Sequence, residues 1–521
     1  MRPAVLLLAG LVSPLAAADP ILFEDVTAKA KLVEPLAGLL GHGGAWGDFD
    51  GDGRPDLFVG GFCDRPNAEY KPAAGPVPSA LFRNRGDGTF EWVRDTPARL
   101  FGRTSGAVFA DLDNDGRPEL YVANNARARG KKTTEPQAGA VQKRSVLLRN
   151  DGGRFVDVSA GSGACPDSLL SARNVAVLDY DSDGWLDLLV VEDRFTPKPR
   201  TTLFRNEGKL KFTDVTAKVG LPENVFGLGS AVADLNGDGR PDVFVPHSNR
   251  LFLSTKDGAF REAVELRETF AWKPLDGEDW PCGACFADLN RDGRLDLVLA
   301  IHHGPARNRV YLNDGLKDGV PKFRDVTAEV GLGDAVPVRC PHVEVQDFDN
   351  DGWPDIYLSA AWLEDGKVTP LVYRNTGVRD GLPRFVAPRP VKTANAYFPA
   401  GPSADFDGDG RVDLFLVNWF AGNHSRLLRN ASPEQNWLTV RVTGRTMNRM
   451  GIGAKVAVYA AGSLLGHQEI GTGYGYASGQ MPVAHFGLGE ATTVDVRVTL
   501  PSGKTVERPK VRAKQVLVVD E

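Results

Sequence analysis

Several things are missing from this 521-residue sequence, and each absence excludes a class of protein. Beyond the N-terminus no stretch approaches about 18 consecutive apolar residues, so no membrane-spanning helix is expected. There is no phosphate-binding Gly loop, no dinucleotide fingerprint and no Gly-x-Ser-x-Gly elbow. Basic surplus is absent too: the formal net charge is −6. The run Arg127, Arg129, Lys131, Lys132 has no interleaved aromatics, so it reads as a solvated loop and no nucleic-acid partner is expected. Cysteine is scarce and odd in number: Cys63, Cys165, Cys282, Cys285 and Cys340. Cys282-Gly283-Ala284-Cys285 has redox-motif spacing but no βαβ context. On an extended strand Cα atoms three apart lie about 10 Å from each other, too far to bridge. That pair reads as structural, and a Cys282–Cys340 disulfide is expected instead.

What the chain has in plenty is acidic turns. Asp48-Phe49-Asp50-Gly51-Asp52-Gly53-Arg54-Pro55-Asp56 puts carboxylates at positions 1, 3, 5 and 9, with Gly at 6. That spacing suits Ca²⁺, a hard cation that takes about six to eight oxygens. The turn recurs seven times. Position 1 is Asp48, Asp111, Asp179, Asp234, Asp288, Asp347 and Asp405. Position 3 is Asp50, Asp113, Asp181, Asn236, Asn290, Asp349 and Asp407. Position 5 is Asp52, Asp115, Asp183, Asp238, Asp292, Asp351 and Asp409. Position 9 is Asp56, Glu119, Asp187, Asp242, Asp296, Asp355 and Asp413. The main-chain carbonyls of Arg54, Arg117, Trp185, Arg240, Arg294, Trp353 and Arg411, at position 7, complete the expected ligand sets. The loops hold 26 of the 67 acidic residues, so up to seven structural Ca²⁺ would make the loaded protein formally positive, about +8. Position 12 is Val59, Val122, Val190, Val245, Leu299, Leu358 and Leu416, where an EF-hand needs a bidentate Glu.

Short β-branched runs flank each turn, such as Val175-Ala176-Val177-Leu178 before and Leu188-Leu189-Val190-Val191 after. A third strand ends in Arg-Asn five times, at Arg83-Asn84, Arg149-Asn150, Arg205-Asn206, Arg374-Asn375 and Arg429-Asn430. A fourth follows, as in Phe212-Thr213-Asp214-Val215. Four strands repeated seven times at spacings of 54 to 68 residues predict a seven-bladed β-propeller. The last repeat lacks a fourth strand after Asn430, and Phe23-Glu24-Asp25-Val26-Thr27 near the N-terminus copies it. The N-terminal strand is therefore expected to close the last blade and remove two open edges.

These repeats resemble the FG-GAP/VCBS class of calcium-binding propeller repeats found in integrin α-chain heads, over roughly residues 21–430. From Asn436 the chain resembles the ASPIC/UnbV domain, through Asn436-Trp437-Leu438, Asn448-Arg449-Met450-Gly451-Ile452-Gly453-Ala454, Gly471-Thr472-Gly473-Tyr474, His485-Phe486-Gly487-Leu488-Gly489 and Pro501-Ser502-Gly503. Met450 and Gly475-Tyr476 depart from the usual pattern. The combination is similar to the cartilage-acidic-protein-like family, which implies an extracellular calcium-binding protein and little about activity. Alternating Leu438-Thr439-Val440-Arg441-Val442 and Val494-Asp495-Val496-Arg497-Val498 predict a small β-sandwich, with Gln515 to Val519 as closing strand. The stretch Gly471 to Gly479 reads as an exposed loop.

Arg2, the apolar Ala4 to Val12 and Ala16-Ala17-Ala18 form a secretory signal. The expected organisation is thus a signal peptide at 1–18, a propeller at 19–435 and a β-domain at 436–521. The face opposite the acidic turns gathers His42, His247, His302, His303, His342 and His424. It also gathers Trp272, Trp280, Trp362, Tyr397, Phe398, Trp419 and Phe420, most of which are expected to pack between blades. Two readings follow. One is a secreted, non-enzymatic adhesion or binding module that meets a protein or glycan on that face. The other is an enzyme, a polysaccharide lyase or metal-dependent oxidoreductase, with histidines converging at the channel mouth.

Overall fold

Each acidic turn joins the first and second strands of a four-stranded antiparallel sheet. A computed structural model of the chain describes residues 21–63, 76–125, 144–169, 171–194, 198–420 and 422–521. The signal segment and the Arg127 to Lys132 run lie outside the described residues. The described chain is all β apart from two 3-10 turns, Val264–Leu266 and Val391–Thr393. Repetition of the four-stranded sheet is consistent with a β-propeller.

In the first sheet Gly43–Gly47, Asp56–Gly60, Ala80–Asn84 and Phe90–Val93 pair in chain order. The next five sheets begin with Thr104–Ala110, Ala172–Leu178, Ala231–Ala233, Pro281–Ala287 and Val343–Gln346 and keep that order. The last holds Ser403–Ala404, Asp413–Leu416 and Arg426–Asn430, with Phe23–Asp25 as its fourth strand. Phe23 pairs with Asn430 and Asp25 with Leu428, as the split copy predicts.

First strands such as Thr104–Ala110 and Ala172–Leu178 are buried at every position. That explains their continuous rather than alternating apolar pattern: neighbouring sheets cover both faces. Trp46, Phe58 and Phe82 are fully enclosed, and each such side chain contributes about 1.5–3 kcal/mol of burial free energy.

Residues 436–521 form two sheets around a shared core. Asn436–Thr443 lies between Ala484–Gly489 and Gln515–Asp520, and Lys455–Ala460 lies between Ser463–Glu469 and Thr493–Thr499. Leu438, Val440, Val456, Val458, Val496 and Phe486 pack between them.

Two expectations are corrected. Cys282 and Cys340 are not bridged. Cys282 packs with Leu228 and Tyr476, whereas Cys340 packs with Cys285 and Ile301 in a separate cluster. Burial pushes the Cys340 thiol up to about 12 and Cys282 well above its usual value, which leaves both inert. The stretch 471–480 is not an exposed loop either. Residues 475–480 are all buried, and Ser478–Gly479 adds a parallel strand to the first sheet, pairing Gly44 with Ser478 and Ala45 with Gly479.

Candidate metal centres

Every acidic turn is built by the same hydrogen bonds. The Gly at position 6 has φ between 82° and 94°, where a side chain is strained. Its N–H donates to the position-1 carboxylate in all seven turns, as from Gly53 to Asp48 at 2.9 Å and Gly352 to Asp347 at 2.7 Å. The position-7 N–H donates to position 5, as from Arg54 to Asp52 at 2.9 Å. Position 9 ties the turn to its sheet. Asp56 accepts the Phe49 N–H at 3.0 Å and the Asn84 N–H at 2.7 Å. Glu119, Asp187, Asp242, Asp296, Asp355 and Asp413 do the same in their own repeats.

Five turns bring three carboxylate oxygens within 4.8 Å of one another: Asp48, Asp50 and Asp56; Asp111, Asp113 and Asp115; Asp179, Asp181 and Asp187; Asp347, Asp349 and Asp351; Asp405, Asp407 and Asp413. In the fourth and fifth turns position 3 is Asn236 or Asn290, whose amide oxygen replaces one carboxylate. Such clusters are costly as charges. Burial, then repulsion from Asp50, pushes Asp56 up to about 8. Burial, then repulsion from Asp113, does the same to Glu119. Burial raises Asp179, Asp288 and Asp405 to about 7. Asp113 Oδ1, Asp181 Oδ1 and Asp347 Oδ1 are buried with no hydrogen-bond partner. All-oxygen donor sets with orphaned buried oxygens fit a hard divalent cation. When bound, such an ion neutralises the cluster; it supplies no other chemistry that these residues point to.

The Arg-Asn signature belongs to these centres, which the sequence pattern alone did not reveal. Three of its arginines reach position 3 or 5: Arg83 meets Asp50 at 2.8 Å, Arg205 meets Asp181 at 2.7 Å and Asp183 at 2.6 Å, and Arg374 binds Asp349 and Asp351, whereas Arg149 pairs with Asp151. Its asparagines bond the preceding sheet. Asn150 Nδ2 donates to the Phe49 carbonyl at 2.8 Å, Asn206 to Leu112 at 2.8 Å, and Asn84 of the first sheet to Phe406 of the last at 2.7 Å.

The C-terminal region sits on these turns. Lys455 Nζ lies 2.7 Å from Asp234 Oδ2, and the Asp234 N–H donates to Glu469. His485 Nε2 meets Asn350 Oδ1 at 2.9 Å, and the Asp111 N–H points at Met450 Sδ. Its 471–480 segment lies among the first strands. Asn174 clasps it through the Gly473 carbonyl and the Ala477 N–H, each at 2.8 Å. The Gly475 N–H donates to Ala284 and Ser230, and Tyr476 OH meets His42 Nδ1 at 2.5 Å.

A model for the FG-GAP-like repeat matches residues 48–122, 179–245, 288–358 and 347–416, each match starting on position 1 of a turn. A model for ASPIC and UnbV matches 444–521. The chain belongs to the FG-GAP-repeat, ASPIC/UnbV family of cartilage-acidic-protein-like proteins. It is 29% identical to cartilage acidic protein 1 of Homo sapiens over 497 residues, 90% of this chain and 70% of that protein. It is 27% identical to the Xenopus tropicalis protein of that name over 493 residues, 90% and 71% of the two chains. Among solved structures, a lectin of Agrocybe aegerita aligns with a TM-score of 0.39 and 20% identity, covering 67% of this chain and 81% of its own. The exotype rhamnogalacturonan lyase YesX aligns with a TM-score of 0.40 and 13% identity, covering 75% and 72%.

The histidines of this FG-GAP chain do not converge. Among the described residues no group of three metal-ligating side chains includes one. His42 and His342 both bind the inserted ASPIC/UnbV segment, and His303 meets Asp276 at 3.0 Å. Of the aromatics, Trp362, Tyr397 and Phe398 are buried in packing, Phe420 is exposed, and Trp272 and Trp280 are half-buried. Among the described residues no helix is long and apolar enough to cross a membrane.

Proposed function

We propose that this chain is a secreted, non-enzymatic calcium-binding module. A signal at 1–18 exports it, and 19–435 make a seven-bladed propeller. Residues 436–521 make a β-sandwich that docks on the acidic turns. Up to seven structural Ca²⁺ are held by positions 1, 3, 5 and 9 and by the position-7 carbonyls. A protein or glycan partner meets the face opposite those turns. What carries this reading is the cover over the turns: Lys455, Glu469, Met450 and His485 of the C-terminal region already contact three of them. The opposite face, built from the connections between second and third strands, has no such cover among the described residues. Residues 471–480 lie among the first strands and bond His42 and His342, two of the histidines on which the enzyme alternative depends.

The test is a blocking experiment on an array of matrix proteins and polysaccharides. A polyethylene-glycol maleimide is attached at Lys367→Cys, on an exposed connection of the opposite face, or at Val516→Cys, exposed on the C-terminal region. Array binding is expected to be lost with the first conjugate and kept with the second. Binding that survives both, or no binding by the unmodified protein, counts against the reading.

A further inference from the structure

The C-terminal region does not cover the seven turns evenly. A Cβ on Gly116, Gly184, Gly239, Gly293, Gly352 or Gly410 would come within 4 Å of it. A Cβ on Gly53, at the bend of the first turn, would meet nothing within 4 Å. Beside that gap lies a cavity of about 270 Å³ between the two regions. Its lining includes Gly53 and Arg54 of the first turn and Val516, which is 53% exposed on the edge strand Gln515–Asp520.

Apolar and polar groups share the wall. Every residue from Leu464 to Glu469 is only half-buried, although the strand they form lies between the C-terminal region and the turns. Phe286, Leu465 and Met481 supply half-buried apolar surface. An apolar cavity of about 150 Å³ holds a benzene ring, so this one has room for a ring or short alkyl chain together with a polar group. His467 also lines it. The imidazole has no hydrogen-bond partner among the described residues, and its Nδ1 is buried.

The charges on the wall are unevenly engaged. Asp288, Asp347 and Asp405 each accept the N–H of their own position-6 Gly, at 2.8, 2.7 and 2.9 Å. Glu469 accepts the Asp234 N–H, and Arg54 binds Asp52 and the Asn84 carbonyl. Arg441 differs. It is half-buried on Asn436–Thr443, the middle strand of its sheet, and among the described residues its guanidinium makes no ion pair or hydrogen bond. It acts on Asp48 electrostatically without reaching ion-pair distance. A cation held in the first turn counters the charge of Asp48 and leaves Arg441 with no anion of its own. A partly desolvated guanidinium without a counter-charge is costly, and its planar fork matches a carboxylate.

We infer that this cavity takes a small monocarboxylic acid, its carboxylate on Arg441 and its apolar body against Phe286, Leu465 and Met481. One unpaired cation calls for one carboxylate, and the half-buried apolar wall calls for a ring or alkyl chain behind it. The His467 imidazole is free to bond a hydroxyl on that body. The site lies on the turn face, apart from the partner face proposed above, so the two readings fail independently.

The experiment is saturation-transfer NMR on the full-length calcium-loaded protein. The probes are benzoate, 4-hydroxybenzoate, phenylacetate and hexanoate, each at millimolar concentration. At least one is expected to show transfer, and Arg441→Gln to weaken its binding about tenfold or more, as loss of a charge-assisted hydrogen bond implies. Leu465→Trp, which fills the cavity, should abolish transfer. Leu465→Phe provides a milder block should Leu465→Trp lower the melting temperature. No transfer from any probe overturns the inference, and so does binding unchanged in Arg441→Gln or in the folded cavity-filling variant.

Discussion

His342 Nδ1 accepts the backbone N–H of Tyr476 at 2.9 Å. Its Nε2 lies 2.9 Å from Glu344 Oε1. A ring nitrogen that accepts carries no proton, so the Nε2 proton is the one given to Glu344. Glu344 also accepts from Gln480 at 2.7 Å, Tyr474 at 2.9 Å and Ser403 at 3.1 Å. A fully buried carboxylate with that many donors is satisfied, and the network locks the inserted segment to the sixth and seventh sheets.

Gly475 is a tight point of that insertion. Its φ is 76°, and a Cβ there would stand 2.5 Å from His342 Nδ1. Gly475→Ala is expected to destabilise the protein by roughly 2–4 kcal/mol, from backbone strain plus overpacking. Gly462→Ala has a similar φ of 81° but open space around it, and should cost only about 1 kcal/mol. Urea denaturation of the two variants checks the difference, and equal losses would contradict the packing role.

Removal of calcium should lower the melting temperature sharply, and its return should restore it. For a single site at 100 times its dissociation constant the gain is about 2.7 kcal/mol, and several sites act together. Differential scanning calorimetry with EDTA, then with excess Ca²⁺, measures it. A melting temperature indifferent to both would rule out structural ions.

The calcium effect should also grow with pH. Burial holds Asp56 and Glu119 near 8, and Asp179, Asp288 and Asp405 near 7, above their unfolded values near 4. The metal-free fold therefore binds more protons than the unfolded chain. Its stability is greatest below about pH 4 with respect to these groups and is lost as pH rises through 7 to 8. Calcium must displace those protons, so its stabilising increment is expected to be larger at pH 8 than at pH 5. Melting with and without calcium across that range decides the matter; a constant increment refutes it.

Asn150→Ala should destabilise by about 2–3 kcal/mol. It leaves the Phe49 and Pro118 carbonyls and the Gly153 N–H without their partner. The Phe49 contact crosses between sheets, so amide exchange in the first sheet should rise as well as in the second. Exchange confined to the second sheet would refute the cross-sheet role.

The contacts of the inserted strand with the first strands should also make the two regions unfold together. Calorimetry of the full chain is expected to show one transition; two well-separated transitions would mean that the 471–480 contacts are weak.

Much of this architecture is local and was therefore open to reading along the chain. The spacing from Asp48 to Asp56 specifies a turn with Gly53 at its bend, because a nine-residue loop is governed by backbone sterics and neighbouring carboxylates. The repeat count and the pairing of Phe23 with Asn430 followed from counting strands, since an unpaired edge needs a partner. The Arg-Asn signature was visible as a pattern, but its work was not: Asn84 bonds Phe406 across 322 residues of sequence, and no local pattern encodes which carbonyl lies there. Gly471 to Gly479 was misread for the same reason. Glycines permit both a free loop and a close-packed strand, and the choice is made by what surrounds them, here Asn174, His342 and Gly44. The expected Cys282–Cys340 bridge failed because composition says nothing about which packed cluster each thiol joins. The acidic turns are thus a property of short sequence. Their burial under Lys455 and Glu469 belongs to the tertiary structure, because it depends on long-range packing and desolvation that no nine-residue stretch contains.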